Sequence, residues 1–417
     1  MSPRQEFSSG WRIIVASAIG IAVGIMALPF STAGFFIPHL ESEFGWSRSA
    51  ISLASTLLIL LVALASPFVG WLADQKSPIG LIGISLTAVA VGFFALSGLT
   101  GSISAYYAIF CAMALLGSAA SSLIFARIVS GAFVQARGLA LGLSMAGNAV
   151  TTMVAPVILV PLLSEYGWRL GYQLLGAVVL VAASSIVLLL RRQQAVSGPL
   201  RTNISGTQSD SSFHAAVTSP AFGVMAVAFM AVPLAATGLL LHFVPLLTDA
   251  GLSPKEAGTL AGLIGVGLLV GRIATGFLLD RFNPARVGAM MMVLSSAGFA
   301  LLSYVGVQAA PFTAIAIGLA IGAEIDLIGF LTARYFGMAA YGRAYGILYT
   351  FCLVGTGLSP LLYGEVIDRT GTYFDAISAA AALLLLSSLL LLIVSVLPKP
   401  IDRFASQNGG KSLPQVN

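Results

Sequence analysis

Four ionisable residues interrupt long apolar runs of this chain: Arg127, Arg272, Glu324 and Asp326. In lipid, a charge at mid-depth costs at least about 2.5–3.5 kcal/mol on insertion scales, so each needs a partner or a task. Arg127 lies ten residues before Arg137, about 15 Å along a helix, which places it near the midplane. A guanidinium is always charged, and its planar fork matches a carboxylate bidentately, so Arg127 and Arg272 suit a small anionic substrate. A carboxyl in low dielectric favours its neutral form, so Glu324 or Asp326 could load and release a proton. Two residues apart on a helix, these acids point about 200° apart and one cavity takes only one of them. Glu324 is the preferred proton site. The plainer alternative is that the arginines and acids neutralise one another across a helix bundle, since buried pairs are common although desolvation is costly.

His242 stands three residues before Pro245, and since a histidine can titrate at physiological pH it is a further candidate for the substrate site. A hydrogen-bonding role at a span end is the competing reading, and the stronger one for His39. Ser31, Thr32, Asn148, Thr151, Thr152, Tyr345 and Tyr349 are candidates to line a cavity, with Asn148 and Tyr349 taken as substrate contacts. Otherwise they bond backbone or neighbouring helices. No phosphate loop, metal-ligand spacing or nucleophile elbow is present, so neither an enzyme nor a cofactor is expected. Cys111 and Cys352 fall inside apolar runs, where packing is the simplest role.

The elements that must position these residues are membrane helices. Hydrophobic residues make up 58% of the 417 and charged residues 8%, with a mean hydropathy of +0.98. A soluble domain carries roughly a quarter charged residues, so this chain needs lipid as solvent. In lipid only helices and closed barrels satisfy the backbone, and runs of about twenty residues are too long for barrel strands. Twelve spans are expected, at 12–38, 49–74, 79–99, 104–130, 138–163, 170–190, 220–247, 256–279, 286–306, 311–335, 343–364 and 376–397. Residues 1–190 and 220–397 then form two six-helix bundles, joined by a flexible linker over 191–219 and followed by a polar cytoplasmic tail over 398–417. The first span is too long for a cleaved signal peptide, and no small-residue cleavage site follows it.

With the N-terminus in the cytoplasm, fourteen of the twenty Lys and Arg residues fall on the cytoplasmic side and four outside. The positive-inside rule therefore puts both termini and the linker in the cytoplasm. That also explains the net charge of +5 without a nucleic-acid partner.

The two halves repeat. Gly70-Trp71-Leu72-Ala73-Asp74 returns as Gly276-Phe277-Leu278-Leu279-Asp280, 206 residues on, and Gly138, Gly142, Pro156 and Gly167 return 204 residues on. Duplicated helical units place a solute pathway at their mutual interface. The charges are not duplicated: under the 206-residue offset Arg272 matches Ser66.

The glycine-to-aspartate unit resembles the loop 2–3 motif of the major facilitator superfamily, G-x-x-x-D-R/K-x-G-R-R/K. The copy Gly276 to Asp280-Arg281, with Arg286 beyond, keeps the acid and its bases. The copy Gly70 to Asp74-Gln75-Lys76 keeps one base. The resemblance covers essentially the whole chain and implies twelve helices in two pseudo-symmetric bundles. It also implies that Gly70, Asp74, Gly276, Asp280 and Arg281 form a gate. Phe44-Gly45-Trp46-Ser47-Arg48, Arg137-Gly138-Leu139-Ala140-Leu141-Gly142 and Arg334-Tyr335-Phe336-Gly337 with Tyr341 to Gly346 look like the bacterial monocarboxylate-transporter-like branch. That branch includes the oxalate–formate exchanger type. Arg272, four residues before Gly276, resembles the span-8 arginine that this branch uses for the substrate carboxylate. Leu268 stands where many relatives carry aspartate, and span 1 has no lysine. The expectation is a monomeric secondary transporter of a small organic anion in a bacterial inner membrane, coupled to protons by symport. Anion exchange and proton-driven export of apolar or cationic compounds are the alternatives. A receptor without transport is disfavoured because no soluble signalling domain is attached.

Overall fold

The computed structural model describes residues 3–133, 137–191, 209–279 and 281–398, and among these the regular structure is entirely helical. The helices are α1 (Pro3–Val23), α2 (Leu28–Phe44), α3 (Arg48–Gln75), α4 (Pro78–Ser97), α5 (Ile103–Gly117), α6 (Ser122–Ala132) and α7 (Arg137–Tyr166). They continue with α8 (Trp168–Arg191), α9 (Ser209–Val217), α10 (Pro220–Asp249), α11 (Pro254–Leu279), α12 (Pro284–Val305), α13 (Ala310–Thr370) and α14 (Phe374–Val396). Starts are set by serine or asparagine caps: Ser47 accepts from Ala50 N at 3.2 Å, and Asn283 from Ala285 N at 3.0 Å. Proline follows directly at Pro78, Pro220 and Pro284, where a missing N–H costs nothing. Glycine in the left-handed region ends α2 at Gly45 and α13 at Gly371.

Ten helical stretches are long and apolar enough to cross a membrane. One of them, Pro284–Gly337, holds two of the twelve expected spans, and the shorter α5 begins the fourth. Gly337, at φ 71° and ψ 172°, breaks α13 at a kink into two helices, which correspond to expected spans 10 and 11. Large apolar side chains such as Ile84, Val181, Leu188, Ile273 and Phe277 face outward, as a lipid-facing wall requires. The chain is a multi-pass membrane protein.

Two expected spans are broken. Span 1 divides into α1 and α2 across Gly24–Ala27, just ahead of Pro29, whose missing N–H and ring disfavour a continuous helix. Span 4 divides into α5 and α6 across Ser118–Ser121. The breaks meet: Ile25 N donates to Ala120 O at 3.3 Å, and a Cβ on Gly24 would stand 2.3 Å from that same oxygen. Each interruption thus satisfies part of the other's freed backbone, which lipid could not do.

The flexible linker needs a correction at its end. Residues 209–217 form α9, which packs on α13 with Phe213 and Val217 against the core and the Arg343 guanidinium 4.3 Å from the Phe213 ring. The rest of the linker, 192–208, and the tail beyond Pro398 lie outside the described residues.

Helix α4 packs against both α5 and α8, and α1, α7 and α8 pack together; later in the chain α10, α12 and α14 pack with α13. Between these groups run three contacts, α2 with α10, α3 with α13 and α7 with α11. They pair the first, second and fifth spans with the seventh, eleventh and eighth, as a twofold-related duplication would.

Candidate functional site

The three contacts between the halves close at one end. A Cβ on Gly34 of α2 would lie 1.8 Å from Leu241 O of α10, and one on Gly265 of α11 2.3 Å from Met153 N of α7. A Cβ on Gly364 of α13 would lie 2.7 Å from Ser49 N at the start of α3. All three sit toward the end that carries residues 45–49 and 250–253. Toward the other end, where the chain begins, Gly142, Gly276 and Gly346 would each place a Cβ in open space. The bundle is therefore sealed at the Arg48 end, whereas no hydrogen bond or ion pair between described residues joins the halves at the end bearing the termini.

Arg48 is the hub of the seal. Its guanidinium binds Asp249 of α10 bidentately, with Nη2 3.0 Å from Oδ1 and Nη1 against Oδ2. Nε donates to Glu41 of α2 at 3.0 Å, and Nη1 also reaches the Tyr373 hydroxyl at 2.7 Å. The Arg48 backbone N–H donates to Asp368 of α13 at 3.1 Å. Burial pushes the Tyr373 phenol above its ordinary range, so it keeps a hydrogen to donate. Behind Tyr373 lies His242, fully buried, with Nδ1 3.3 Å from the phenol oxygen. Its Nε2 is 3.1 Å from both the Pro360 carbonyl oxygen and Ser52 Oγ. His242 thus belongs to the seal, apart from the charged pair of the other half of the pathway.

That pair is Arg272 and Asp326. Nε of Arg272 stands 3.9 Å from Asp326 Oδ2, beyond hydrogen-bond reach, with the two side chains 20% and 31% exposed. Nε itself is buried and, among the described residues, has no hydrogen-bond acceptor. The close approach of α11 and α13 that presents the pair needs glycine: a Cβ on Gly322 would meet Leu268 O at 2.4 Å. Glu324 turns to the other side of its helix. It is 4% exposed, lies against the Cys352 thiol and near Tyr349, and its Oε1 is unpartnered. Tyr349 stacks on Tyr345 with ring centroids 5.9 Å apart. So the acid facing Arg272 is Asp326, and the sequence-based preference for Glu324 meets a group with no basic partner among the described residues.

Between the seal and this pair lies a pinched cavity of about 10 Å³, little more than room for one water, lined by Ser31, Phe35, Thr151, Thr152, Leu240 and Ile264 among others. It lies where α2 and α7 meet α10 and α11, at the interface of the duplicated halves. Thr151 Oγ1 donates to Ala22 O at 2.7 Å and Thr152 Oγ1 to Asn148 O at 3.0 Å, so both hydroxyls are also used within the scaffold. Asn148 is half-buried one turn from this lining. Arg281 is exposed and its guanidinium covers the Phe277 ring at 4.0 Å. The side chains of Arg127, Gly70 and Asp74, and Asp280 entirely, lie outside the described residues.

Sequence reasoning missed the seal. Arg48 enters it only as part of a string, and Glu41, Asp249, Asp368 and Tyr373 not at all. A usable signal existed: Arg48 is one of four basic residues that break the positive-inside bias, and acids stand at the ends of spans 1, 7 and 11 on the same side.

The pattern of the Major Facilitator Superfamily matches residues 19–360, and again 236–414. Monocarboxylate transporter 12-B of Danio rerio is 25% identical over 402 residues, covering 87% of this chain and 82% of its own. Monocarboxylate transporter 11 of Mus musculus is 25% identical over 395 residues, with 89% and 84% covered. Among solved structures, a bacterial homolog of the human lysosomal transporter Spinster, in an inward-facing and unoccupied conformation, superposes with a TM-score of 0.66. It covers 95% of this chain and 96% of its own at 16% identity, a likeness of fold. With a family match over most of its length, this chain belongs to the major facilitator superfamily and is a transporter, not an enzyme.

Proposed function

We propose that the protein is a secondary transporter of a small monocarboxylate-type anion, driven by proton symport and working by alternating access. Two six-helix bundles, residues 1–190 and 220–397, rock about the pinched cavity. In the orientation set by the positive-inside rule the Arg48 end faces outward and the end bearing the termini faces the cytoplasm of a bacterial cell, so the sealed Arg48 end closes the pathway to the outside.

One observation carries the reading: among the described residues Arg272 has a buried Nε without an acceptor, beside a carboxylate held just too far away to bond it. A guanidinium so placed is available to a substrate carboxylate. Its neighbour Asp326 competes for it while ionised, and protonating Asp326 removes the competitor. Proton and anion then bind together, which is the thermodynamic content of symport. Arg127, Asn148 and Tyr349 remain candidates for further substrate contacts, and Glu324 for a second proton site. The pattern of monocarboxylate transporters among the relatives supports the substrate class.

Purified protein in liposomes tests the proposal. Monocarboxylate uptake should rise when the outside is made acidic and fall when the gradient is collapsed. Uptake that ignores the gradient but requires internal anion makes the protein an exchanger. No uptake of any carboxylate, with drug sensitivity in a deletion strain, makes it an exporter.

A further inference from the structure

The seal contains a titratable ring that the transport reading does not use. His242 is 0% exposed and joins three elements: Ser52 of α3, Pro360 of α13 and Tyr373 ahead of α14. The hydrogens follow from the donors available. A carbonyl oxygen only accepts, so Nε2 carries a hydrogen toward Pro360. Arg48 only donates, so its Nη1 uses the Tyr373 oxygen as acceptor and the phenol hydrogen is left to point at Nδ1. One directed chain, Arg48 to Tyr373 to His242 to Pro360, is complete only with a neutral ring.

A second ring proton, on Nδ1, breaks that chain. The phenol oxygen would then face N–H donors from two cations, Arg48 and the imidazolium, and the phenol hydrogen would lose its acceptor. The acids nearby do not compensate. Asp249 of α10 and Asp368 of α13 act on the ring along with Arg48, but Asp249 is held bidentately by Arg48 and Asp368 by the N–H groups of Arg48 and Ser49. Glu41 of α2 is likewise bound to Arg48. Tyr363 of α13 stacks over the ring at 6.2 Å with its hydroxyl bonded to Ala235 O. Among the described residues no charged group of α11 or α14 acts on the ring.

We infer that His242 is a pH switch on the outer seal: the neutral ring locks the outward face shut, and a proton taken up from outside holds it open. Only its sidedness rests on the orientation proposed above. Because the ring is buried when the seal is closed, the proton enters Nδ1 from external water after opening and returns there before closing. No proton crosses the membrane by this route, so external acid shifts the resting conformation without powering transport.

The test uses the full chain with spin labels at Ser42→Cys and Lys255→Cys, both on exposed positions flanking the seal, in a Cys111→Ser, Cys352→Ala background. Neither substrate nor gradient is present, so the outcome does not depend on the transport reading. Between pH 8 and pH 5 the ratio of long-distance to short-distance populations should rise at least about tenfold, the ratio that a coupling of about 1.4 kcal/mol produces. In His242→Gln, which cannot titrate, that ratio should change less than about twofold. Tyr373→Phe keeps the histidine but removes the phenol that discriminates its protonation states, so the same ratio should be raised at pH 8 and respond less to acid. A wild-type ratio that ignores pH, or a full response surviving in His242→Gln or in Tyr373→Phe, overturns the inference.

Discussion

Asp368 accepts the backbone N–H groups of Arg48 and Ser49 at 3.1 and 2.9 Å, so a carboxylate of α13 caps a helix that begins 320 residues earlier in the chain. Orphan N–H groups at a helix start need an acceptor. Here one comes from the opposite half of the molecule, while the helix's own Ser47 serves Ala50 N. The α3 terminus thus has a local cap from Ser47, and Asp368 adds to it a contact that crosses the seal.

Asp368→Asn should leave α3 intact and weaken the seal. A cap of this type contributes about 0.5–2 kcal/mol, so the open fraction at the Arg48 end should rise several-fold. The label pair at positions 42 and 255 reads this, and circular dichroism should show unchanged helix content.

Arg272→Lys keeps the charge but not the fork. Losing a charge-assisted bond of about 1.5–3 kcal/mol should reduce monocarboxylate uptake in proteoliposomes by at least tenfold, with normal expression. Wild-type uptake by the lysine variant would remove Arg272 from the substrate site.

Asp326→Asn takes away the competitor for Arg272 permanently. Anion binding in the wild type should strengthen as pH falls and Asp326 gains its proton. In the variant, binding measured by thermal shift should be flat across the same range. Counterflow of labelled anion should survive while accumulation against a gradient is lost.

Gly34→Val and Gly346→Val should act in opposite senses. The first puts a side chain into the Leu241 carbonyl and forbids the sealed end, whereas the second enters open space and burdens only a conformation closed at the opposite end. Cysteine accessibility from the outer side should rise in Gly34→Val and fall in Gly346→Val.

Much of this architecture can be read from hydropathy, because lipid demands helices of a set length wherever charge is absent. All twelve spans follow from that rule, and Gly337 already stood in a recognisable string. The break at Gly24–Ala27 is hidden because it is as apolar as the helices around it, that at Ser118–Ser121 because it carries no charge, and the two breaks are stabilised by each other. The opposed directions of Glu324 and Asp326 follow from helix geometry, but which of them meets Arg272 depends on the rotation of α13 against α11. The seal is the least legible part, since Arg48 finds Asp249 and Asp368 across 201 and 320 residues.

The acids that hold Arg48 are themselves open to water, Glu41 at 40% and Asp249 at 44% side-chain exposure. Each keeps part of its hydration shell while bonded, which screens its attraction to the 11% exposed Arg48 side chain and makes the pairing weaker than a fully desolvated one. A deeply buried ion pair in the same position would hold more firmly and release more slowly. Placing the carboxylates of the clasp at the wet rim makes it a fastening of moderate strength, one that can be undone.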